Sequence, residues 1–199
     1  MALTIYGAPQ SRALRVLWMA KELGLDYKLV PTSPRGETRT PEFLKINPNG
    51  HVPAIDDDGV IIWESMACNL YLLKKHGGPL QPKSVADEGR TLQWSFWAMT
   101  ELEPQALPLL FKAIMPERTT DAAVAAANEK LPEVLKVLDG ALAGKDYLLG
   151  SSFTAADLNV ASVLNFLAMI KYDVKGFPNV AAWAGRCLGR PALAAAASK

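Results

Sequence analysis

The sequence has little cysteine and histidine and no long uncharged segment. Of its 199 residues, only two are cysteine and two are histidine. Two cysteines are too few for a disulfide scaffold and favour a reducing, cytoplasmic setting. So few histidines leave little scope for a histidine-based catalytic triad or a zinc site of cysteine and histidine. The longest uncharged run, residues 158–170, has 13 residues and is shorter than the roughly 20 that a membrane-spanning helix needs.

An excess of charge of one sign is also missing. Twenty-one Lys and Arg face 20 Asp and Glu, which gives a formal net charge of +1. A nucleic-acid-binding protein normally has a basic excess or stripe, so this class is disfavoured. Residues 1–9 have neither a basic start nor a long apolar stretch, so no signal peptide is expected. With 50% hydrophobic residues, the composition is that of a folded protein with ample core material.

The two halves of the chain differ in composition. Residues 1–90 hold 7 of the 29 alanines, and residues 91–199 hold the other 22. Alanine favours helices and disfavours strands, so the second half is predicted to be all-helical. The seam lies in a stretch rich in glycine and proline around residues 77–82. We therefore expect an α/β domain over 1–78, a linker over 79–84 and an all-α domain over 85–199.

Short apolar runs between glycines and prolines predict the elements of the first half. The order is strand, helix, strand, then a hairpin and a second long helix, which is typical of a small α/β domain. The predicted strands cover 3–6, 27–31, 53–56 and 60–63, and the predicted helices cover 12–23, 41–45 and 65–76. The first of these helices is so broadly apolar that we expect it to be covered on two sides.

Long helices are predicted throughout the second half, at 85–115, 121–143, 154–170 and 178–188. Thr154 and Asp157 stand three residues apart, just before an apolar run. This spacing is that of a capping box at a helix start. Replacing Asp157 by alanine is therefore expected to cost about 1 kcal/mol of folding free energy.

Two predicted helix starts in the first half are suited to binding an anion. Ser11 comes just before the first long helix, and Glu64-Ser65 opens the last helix of the domain. A helix start offers unpaired N–H groups and a partial positive charge. Between them, Val52-Pro53 opens a strand whose edge is a candidate for backbone pairing with an extended peptide. Residues 8–12 contain no cysteine, which makes dithiol redox chemistry at this position unlikely on sequence grounds.

Four segments of the chain resemble the cytosolic glutathione transferases, in their serine-type theta- and phi-like bacterial range. The segment SRALRVLWMAKELGL (11–25) is similar to the family's first helix. Two more, PEFLKINPNGHVPAI (41–55) and DDGVIIWESMACNLYL (57–72), are similar to its glutathione-binding core. The segment SSFTAADLNVA (151–161) is similar to the folding signature of its helical domain. The resemblance implies a thioredoxin-like N-terminal domain followed by an all-helical domain that carries the site for the second substrate.

The resemblance also implies roles for single residues. Ser11 faces the sulfur of glutathione, and Glu64 and Ser65 hold its γ-glutamyl end. Pro53 is cis and exposes the backbone of Val52 to the cysteinyl part. The remaining implied contacts, to the glycyl carboxylate, come from Arg39 and His51. Glutathione is then a co-substrate, no cofactor or metal is needed, the second substrate is a hydrophobic electrophile or a peroxide, and the protein is a homodimer.

The sequence departs from the family pattern in two places and leaves alternatives open. Phi-like members often have His-Lys where this chain has Thr38-Arg39, and Lys or Gln where it has His51. Tyr6, at the end of the first strand, is a rival donor to the sulfur. The alternative functions are a glutathione-dependent isomerase, a disulfide-bond reductase, a non-catalytic binding protein and a carrier of apolar ligands.

Overall fold

Four short strands of the first half form one sheet. The computed structural model describes residues 3–34 and 36–198. The strands are β1 (Leu3–Tyr6), β2 (Tyr27–Val30), β3 (Ala54–Asp57) and β4 (Val60–Trp63). In the order β2-β1-β3-β4, β1 runs parallel to β2 and antiparallel to β3, and β3 runs antiparallel to β4. The predicted thioredoxin-like α/β domain is confirmed.

Helix α1 (Ala13–Glu22) lies at the centre of the α/β domain. The other helices of this domain are α2 (Pro41–Ile46), α3 (Ser65–His76) and, from the C-terminal end of the chain, α9 (Pro191–Ala197). The side chains from Val16 to Ala20 on α1 are fully buried. Both α3 and α9 pack against α1. The expectation that this broadly apolar helix is covered on two sides is confirmed.

The C-terminal stretch differs from the expected domain division. The chain forms two compact units, one that runs to Gln81 and takes in the stretch from Arg190, and one over Pro82–Gly189. Arg190 Nε and Nη2 donate to the two carboxylate oxygens of Glu22 at 2.6 and 2.7 Å. Such a bidentate pair fixes orientation as well as position. The sequence predicts that these last residues belong to the helical domain. Their alanine content indicates a helix but does not indicate which unit the helix packs against.

The second unit consists of helices, as predicted. They are α4 (Val85–Trp97), α5 (Glu103–Ile114), α6 (Asp121–Leu142), α7 (Ala155–Met169) and α8 (Pro178–Leu188). The single helix predicted over 85–115 is interrupted by a π-helical turn, Ala98–Leu102. Pro104, two residues after this turn, cannot donate a backbone hydrogen bond, which disturbs the regular ladder here. Within the described ranges, no helix is both long and apolar enough to cross a bilayer.

Asp157 does more than cap α7. Its Oδ1 accepts from the N–H of Leu148 at 2.8 Å and from Trp183 Nε1 at 2.9 Å. Its Oδ2 accepts from the N–H and the hydroxyl of Thr154. Asp157 is fully buried, and burial raises the pKa of its carboxyl group while the four hydrogen bonds lower it. Removal of Asp157 is therefore expected to cost more than the about 1 kcal/mol of a local cap.

Candidate functional site

Ser11 lies in the turn that leads into α1. Its Oγ accepts from the N–H of Ala13 at 3.1 Å and donates to the carbonyl oxygen of Ala8 at 2.7 Å. The side chain is half-buried. The hydroxyl oxygen therefore accepts from the first N–H group of α1, while the hydroxyl proton is donated to a main-chain carbonyl. If the hydroxyl turns away from Ala8, it can donate a hydrogen bond to a ligand anion near Ser11. The hydrogen bond from the N–H of Ala13 is kept.

The N–H groups at the start of α1 are largely used within the chain. Besides the Ala13 bond to Ser11, the N–H of Leu14 donates to the Ser11 carbonyl and that of Arg15 to the Arg12 carbonyl. The sequence interpretation expected unpaired N–H groups here. The tight turn ahead of the helix supplies acceptors that the sequence did not show. At this end of the site, the hydroxyl of Ser11 is therefore the principal donor.

Gly7 allows Ser11 and Val52 to come close together. A Cβ atom at Gly7 would lie 3.6 Å from Ser11 Oγ, 3.4 Å from Val52 Cβ and 2.4 Å from Ala13 Cβ. Gly7 also has a φ of +142°, in the region that favours glycine. The end of β1 thus brings the start of α1 beside the residue that precedes β3.

Val52 and Pro53 stand at the start of β3. The peptide bond between them is cis, as the resemblance implies. The expected sheet edge is wrong, since β3 pairs with β1 on one side and β4 on the other. Of the two positions where a proline is tolerated, the start of a strand and an edge, Pro53 takes the first. Val52 therefore precedes the paired part of a central strand.

The turn from β4 into α3 presents Glu64 and Ser65. Glu64 is exposed and has a φ of +72°, and its side chain makes no capping bond to the helix. Ser65, the first residue of α3, is only 3% exposed. α3 has no acidic residue in its first turn and ends with Lys74, Lys75 and His76. This charge distribution leaves the helix start open to a ligand carboxylate.

A buried arginine that the sequence analysis missed lies behind Ser65. Arg15 of α1 is 2% exposed, and its Nη1 donates to Ser65 Oγ at 3.2 Å. Arg15 follows Ser11 by one helical turn, so α1 begins beside Ser11 and also contacts the start of α3. A signal was present in the sequence, because Arg15 interrupts an otherwise apolar stretch of this helix.

Arg39 contacts the loop that carries His51. Arg39 Nη1 donates to the carbonyl oxygen of Asn49 at 3.2 Å. The buried side chain of Asn47 shapes the loop, since its Nδ2 donates to the carbonyl oxygen of His51 at 2.7 Å and its Oδ1 accepts from the N–H of Asn49. Gly50, with a φ of +62°, lies directly against Arg39. Both Arg39 and His51 are exposed. The sequence analysis missed Asn47 and Gly50, although Asn-Pro-Asn-Gly is a strong turn signal.

Tyr6 is placed against α2. Its ring packs edge-on against Phe43, with ring centroids 6.1 Å apart. Burial and the nearby carboxylate of Asp56 raise the pKa of the Tyr6 phenol. The packing of its ring against α2, and not its acidity, distinguishes Tyr6 from Ser11, whose hydroxyl lies beside Gly7 at the start of α1.

Both cysteine thiols are expected to be unreactive in the folded protein. Cys68 and Cys187 are buried. Burial raises the pKa of the Cys68 thiol to about 12, and the carboxylate of Glu64 adds to the rise. Because the thiolate is the reactive form, iodoacetamide at neutral pH should label neither cysteine until the chain is unfolded. Mass spectrometry before and after unfolding checks this, and rapid labelling of the native protein would contradict it.

Two family models match the chain, and together they cover most of it. The model described as "Glutathione S-transferase, N-terminal domain" matches residues 1–74, and "Glutathione S-transferase, C-terminal domain" matches residues 102–191. The chain belongs to the glutathione S-transferase family. Because it has both domains of the family, it is a glutathione transferase.

Individual relatives agree with this assignment over nearly full length. A glutathione S-transferase of Hyoscyamus muticus is 34% identical over an aligned region of 203 positions that covers 96% of each chain. Glutathione S-transferase D7 of Drosophila melanogaster is 33% identical over 88% of this chain and 78% of its own. A solved glutathione S-transferase I bound to lactoylglutathione has a TM-score of 0.88 and 29% identity, with 98% of each chain covered. The plant and insect relatives do not support the bacterial part of the expected subclass.

Proposed function

We propose that this glutathione transferase is of the serine type and that Ser11 donates a hydrogen bond to the thiolate of glutathione. The observation that carries this proposal is that Ser11 Oγ and Val52 Cβ both border Gly7, at 3.6 and 3.4 Å from the position of a Cβ atom there. A peptide whose cysteinyl backbone pairs with Val52 has its side chain within reach of the Ser11 hydroxyl. The related transferase bound to lactoylglutathione supports a glutathione-type ligand.

The free energy available at this position is sufficient without a general base. A free cysteine thiol has a pKa of about 8.5, and lowering it by about 2 units needs roughly 2.7 kcal/mol in favour of the anion. A hydrogen bond to a charged group contributes about 1.5–3 kcal/mol. The dipole of α1 adds about 0.3–1 kcal/mol. Ser11 thus acts as a donor to the thiolate and not as a nucleophile.

The other charged groups of glutathione match the rest of the site. Glu64 provides a carboxylate for the γ-glutamyl ammonium group. Ser65 and the start of α3 provide donors for the γ-glutamyl carboxylate. The glycyl carboxylate pairs with Arg39, with His51 beside it on the same loop. Glutathione is a co-substrate here, and the chemistry needs no cofactor.

The reaction that follows is attack by the thiolate sulfur on a hydrophobic electrophile. With an aryl halide, a carbon–sulfur bond forms and the carbon–halogen bond breaks, with its electron pair departing on the halide. With an organic peroxide, the sulfur takes one oxygen as the O–O bond breaks, and a second glutathione then reduces this sulfur with formation of glutathione disulfide and water. The thiol proton is released before attack, when the thiolate forms. The two buried cysteines and the absence of cysteine from residues 8–12 argue against disulfide chemistry by the protein's own thiols. They also agree with a cytoplasmic location.

A glutathione-dependent activity panel tests the proposal. It contains an aryl halide, an organic peroxide, an epoxide and a mixed disulfide, each with and without glutathione. We expect turnover of the aryl halide or the peroxide that depends on glutathione. Calorimetry without measurable glutathione binding would show a protein that has kept only the fold, and turnover restricted to the mixed disulfide would show a reductase.

We also propose that the protein is a homodimer. Strand β4 is at the edge of the sheet and leaves Val60, Ile61 and Trp63 between 38% and 45% exposed. An apolar edge strand of this kind is a liability unless another chain covers it. Separately, α4 exposes Val85, Leu92 and Phe96. Sedimentation equilibrium measures the mass, and the dimer mass is expected.

Gly50→Ala should weaken glutathione binding through Arg39. A Cβ atom at Gly50 would lie 2.6 Å from Arg39 Nη1 and 2.8 Å from the carbonyl oxygen of Thr38. Arg39 must then leave its position, and we expect a loss in affinity of about fivefold, the value of one exposed charge contact. Calorimetry measures the Kd.

Gly24→Ala is the matched control for this variant. Gly24 has a similar φ of +66°, but a Cβ atom there would meet nothing within 4 Å. It carries the same kind of backbone strain without touching Arg39, so the affinity should stay at the wild-type value. Equal affinities of the two variants for glutathione would contradict the role of Arg39.

A further inference from the structure

The contact between Arg15 and Ser65 joins two elements of the first unit. Arg15 is on α1 and Ser65 opens α3, 50 residues further along the chain. Both residues are largely buried, at 2% and 3% exposure. A buried arginine is uncommon, because the charged group loses its hydration. The charge lies directly behind a hydroxyl that is proposed to bind the ligand.

The direction of this hydrogen bond determines what Ser65 can do. A guanidinium group only donates, so Ser65 Oγ is the acceptor. Within residues 3–34 and 36–198, no hydrogen bond has the Ser65 hydroxyl as its donor, so its proton remains available. A hydroxyl that accepts from a cation is polarised and donates more strongly. The guanidinium group keeps its charge at all relevant pH values.

We infer that Arg15 is a positioning residue that fixes and polarises the Ser65 hydroxyl for the γ-glutamyl carboxylate of glutathione. This inference rests on the proposed function, which assigns that carboxylate to Ser65. Arg15 holds the oxygen of Ser65 from behind, and the proton of Ser65 points to the ligand. Since Ser11 stands one turn before Arg15, α1 sets the distance between the sulfur and the γ-glutamyl end.

The experiment compares glutathione with an analogue that lacks only the γ-glutamyl α-carboxylate, 4-aminobutyryl-cysteinyl-glycine. Calorimetry gives the Kd of both ligands for the wild type, Arg15→Gln, Arg15→Lys and Ser65→Ala. Arg15→Gln should weaken glutathione binding about tenfold, the loss of one charge-assisted hydrogen bond. Binding of the analogue should change less than about twofold. At saturating glutathione, kcat should stay near the wild-type value.

Lys21→Gln is the control variant on the same helix. Lys21 lies over the Tyr27 ring, and its removal should change neither Kd. If Arg15→Gln does not fold, Arg15→Lys keeps the charge without the planar fork and should show a smaller loss that is still confined to glutathione.

An equal loss of affinity for both ligands in the Arg15 variants would overturn the inference, since Arg15 would then only support the fold. In that case, a selective loss in Ser65→Ala would leave the proposed function intact. An equal loss in Ser65→Ala would show instead that the γ-glutamyl carboxylate binds elsewhere, and the proposed function would fail at this residue.

Discussion

Ser11→Ala is expected to lower kcat at neutral pH by about one to three decades, with a smaller effect on the Kd of glutathione. The hydroxyl of Ser11 interacts with the sulfur mainly when the sulfur is an anion. Its loss removes about 1.5–3 kcal/mol of thiolate stabilisation, and the pKa of the bound thiol rises toward its ordinary value. Steady-state kinetics with an aryl halide across the pH range measures the effect. Part of the lost activity should return at alkaline pH, where the thiolate forms without help.

Two further variants separate this role from its alternatives. Ser11→Thr keeps the hydroxyl and should retain much more turnover than Ser11→Ala. Tyr6→Phe removes the rival hydroxyl and should leave kcat within about twofold of the wild type. The bond from Ala13 to Ser11 is also lost in Ser11→Ala, so a fall in stability of about 1 kcal/mol is expected and is measured separately. Unchanged turnover in Ser11→Ala together with a large loss in Tyr6→Phe would reverse the assignment.

Asp157→Ala is expected to destabilise the helical unit by about 3–5 kcal/mol. Removal of the carboxylate leaves the buried N–H groups of Leu148 and Trp183 without an acceptor, and each costs about 1–3 kcal/mol. The start of α7 also loses the bond from Thr154. A protein of this size has a total stability of about 5–15 kcal/mol. Denaturant unfolding and thermal melts measure the change, and a fall of about 10 °C in Tm is expected.

Thr120→Ala is the matched control for this prediction. Thr120 caps α6 with a local bond from the N–H of Ala123, at an exposed position. Its loss should cost about 1 kcal/mol, the ordinary value for a helix cap. If the two variants are equally destabilised, the bonds from Leu148 and Trp183 contribute nothing measurable.

The regular elements of the first half could be predicted because their signals are local. β1, β3 and β4 fall within a residue of the predicted ranges, since they are short apolar runs next to glycine and proline. The break in the helix predicted over 85–115 is hidden in the sequence because the helical pattern is strong on both sides of Pro104. The packing of α9 on α1 depends on the pair between Glu22 and Arg190, 168 residues apart, and local patterns do not report such distances.

The same limit applies to the site. Ser11, Glu64 and Ser65 could be proposed because helix starts are visible in the sequence and the segments resemble a known family. The contact of Arg15 with Ser65 could not, because it depends on how α1 packs against α3. The first N–H groups of α1 were expected to be free. Their acceptors come from the conformation of the turn at residues 8–12, which the sequence does not reveal.

The central claim is that the working thiol belongs to glutathione and that Ser11 makes it a thiolate. The most direct measurement is the ultraviolet absorbance of the thiolate in bound glutathione, titrated with pH in the wild type and in Ser11→Ala. The midpoint for the wild type should lie about 2 units below that of a free thiol, and the midpoint for Ser11→Ala should move most of the way back. A wild-type midpoint equal to that of free glutathione, or one that Ser11→Ala leaves unchanged, would contradict the account.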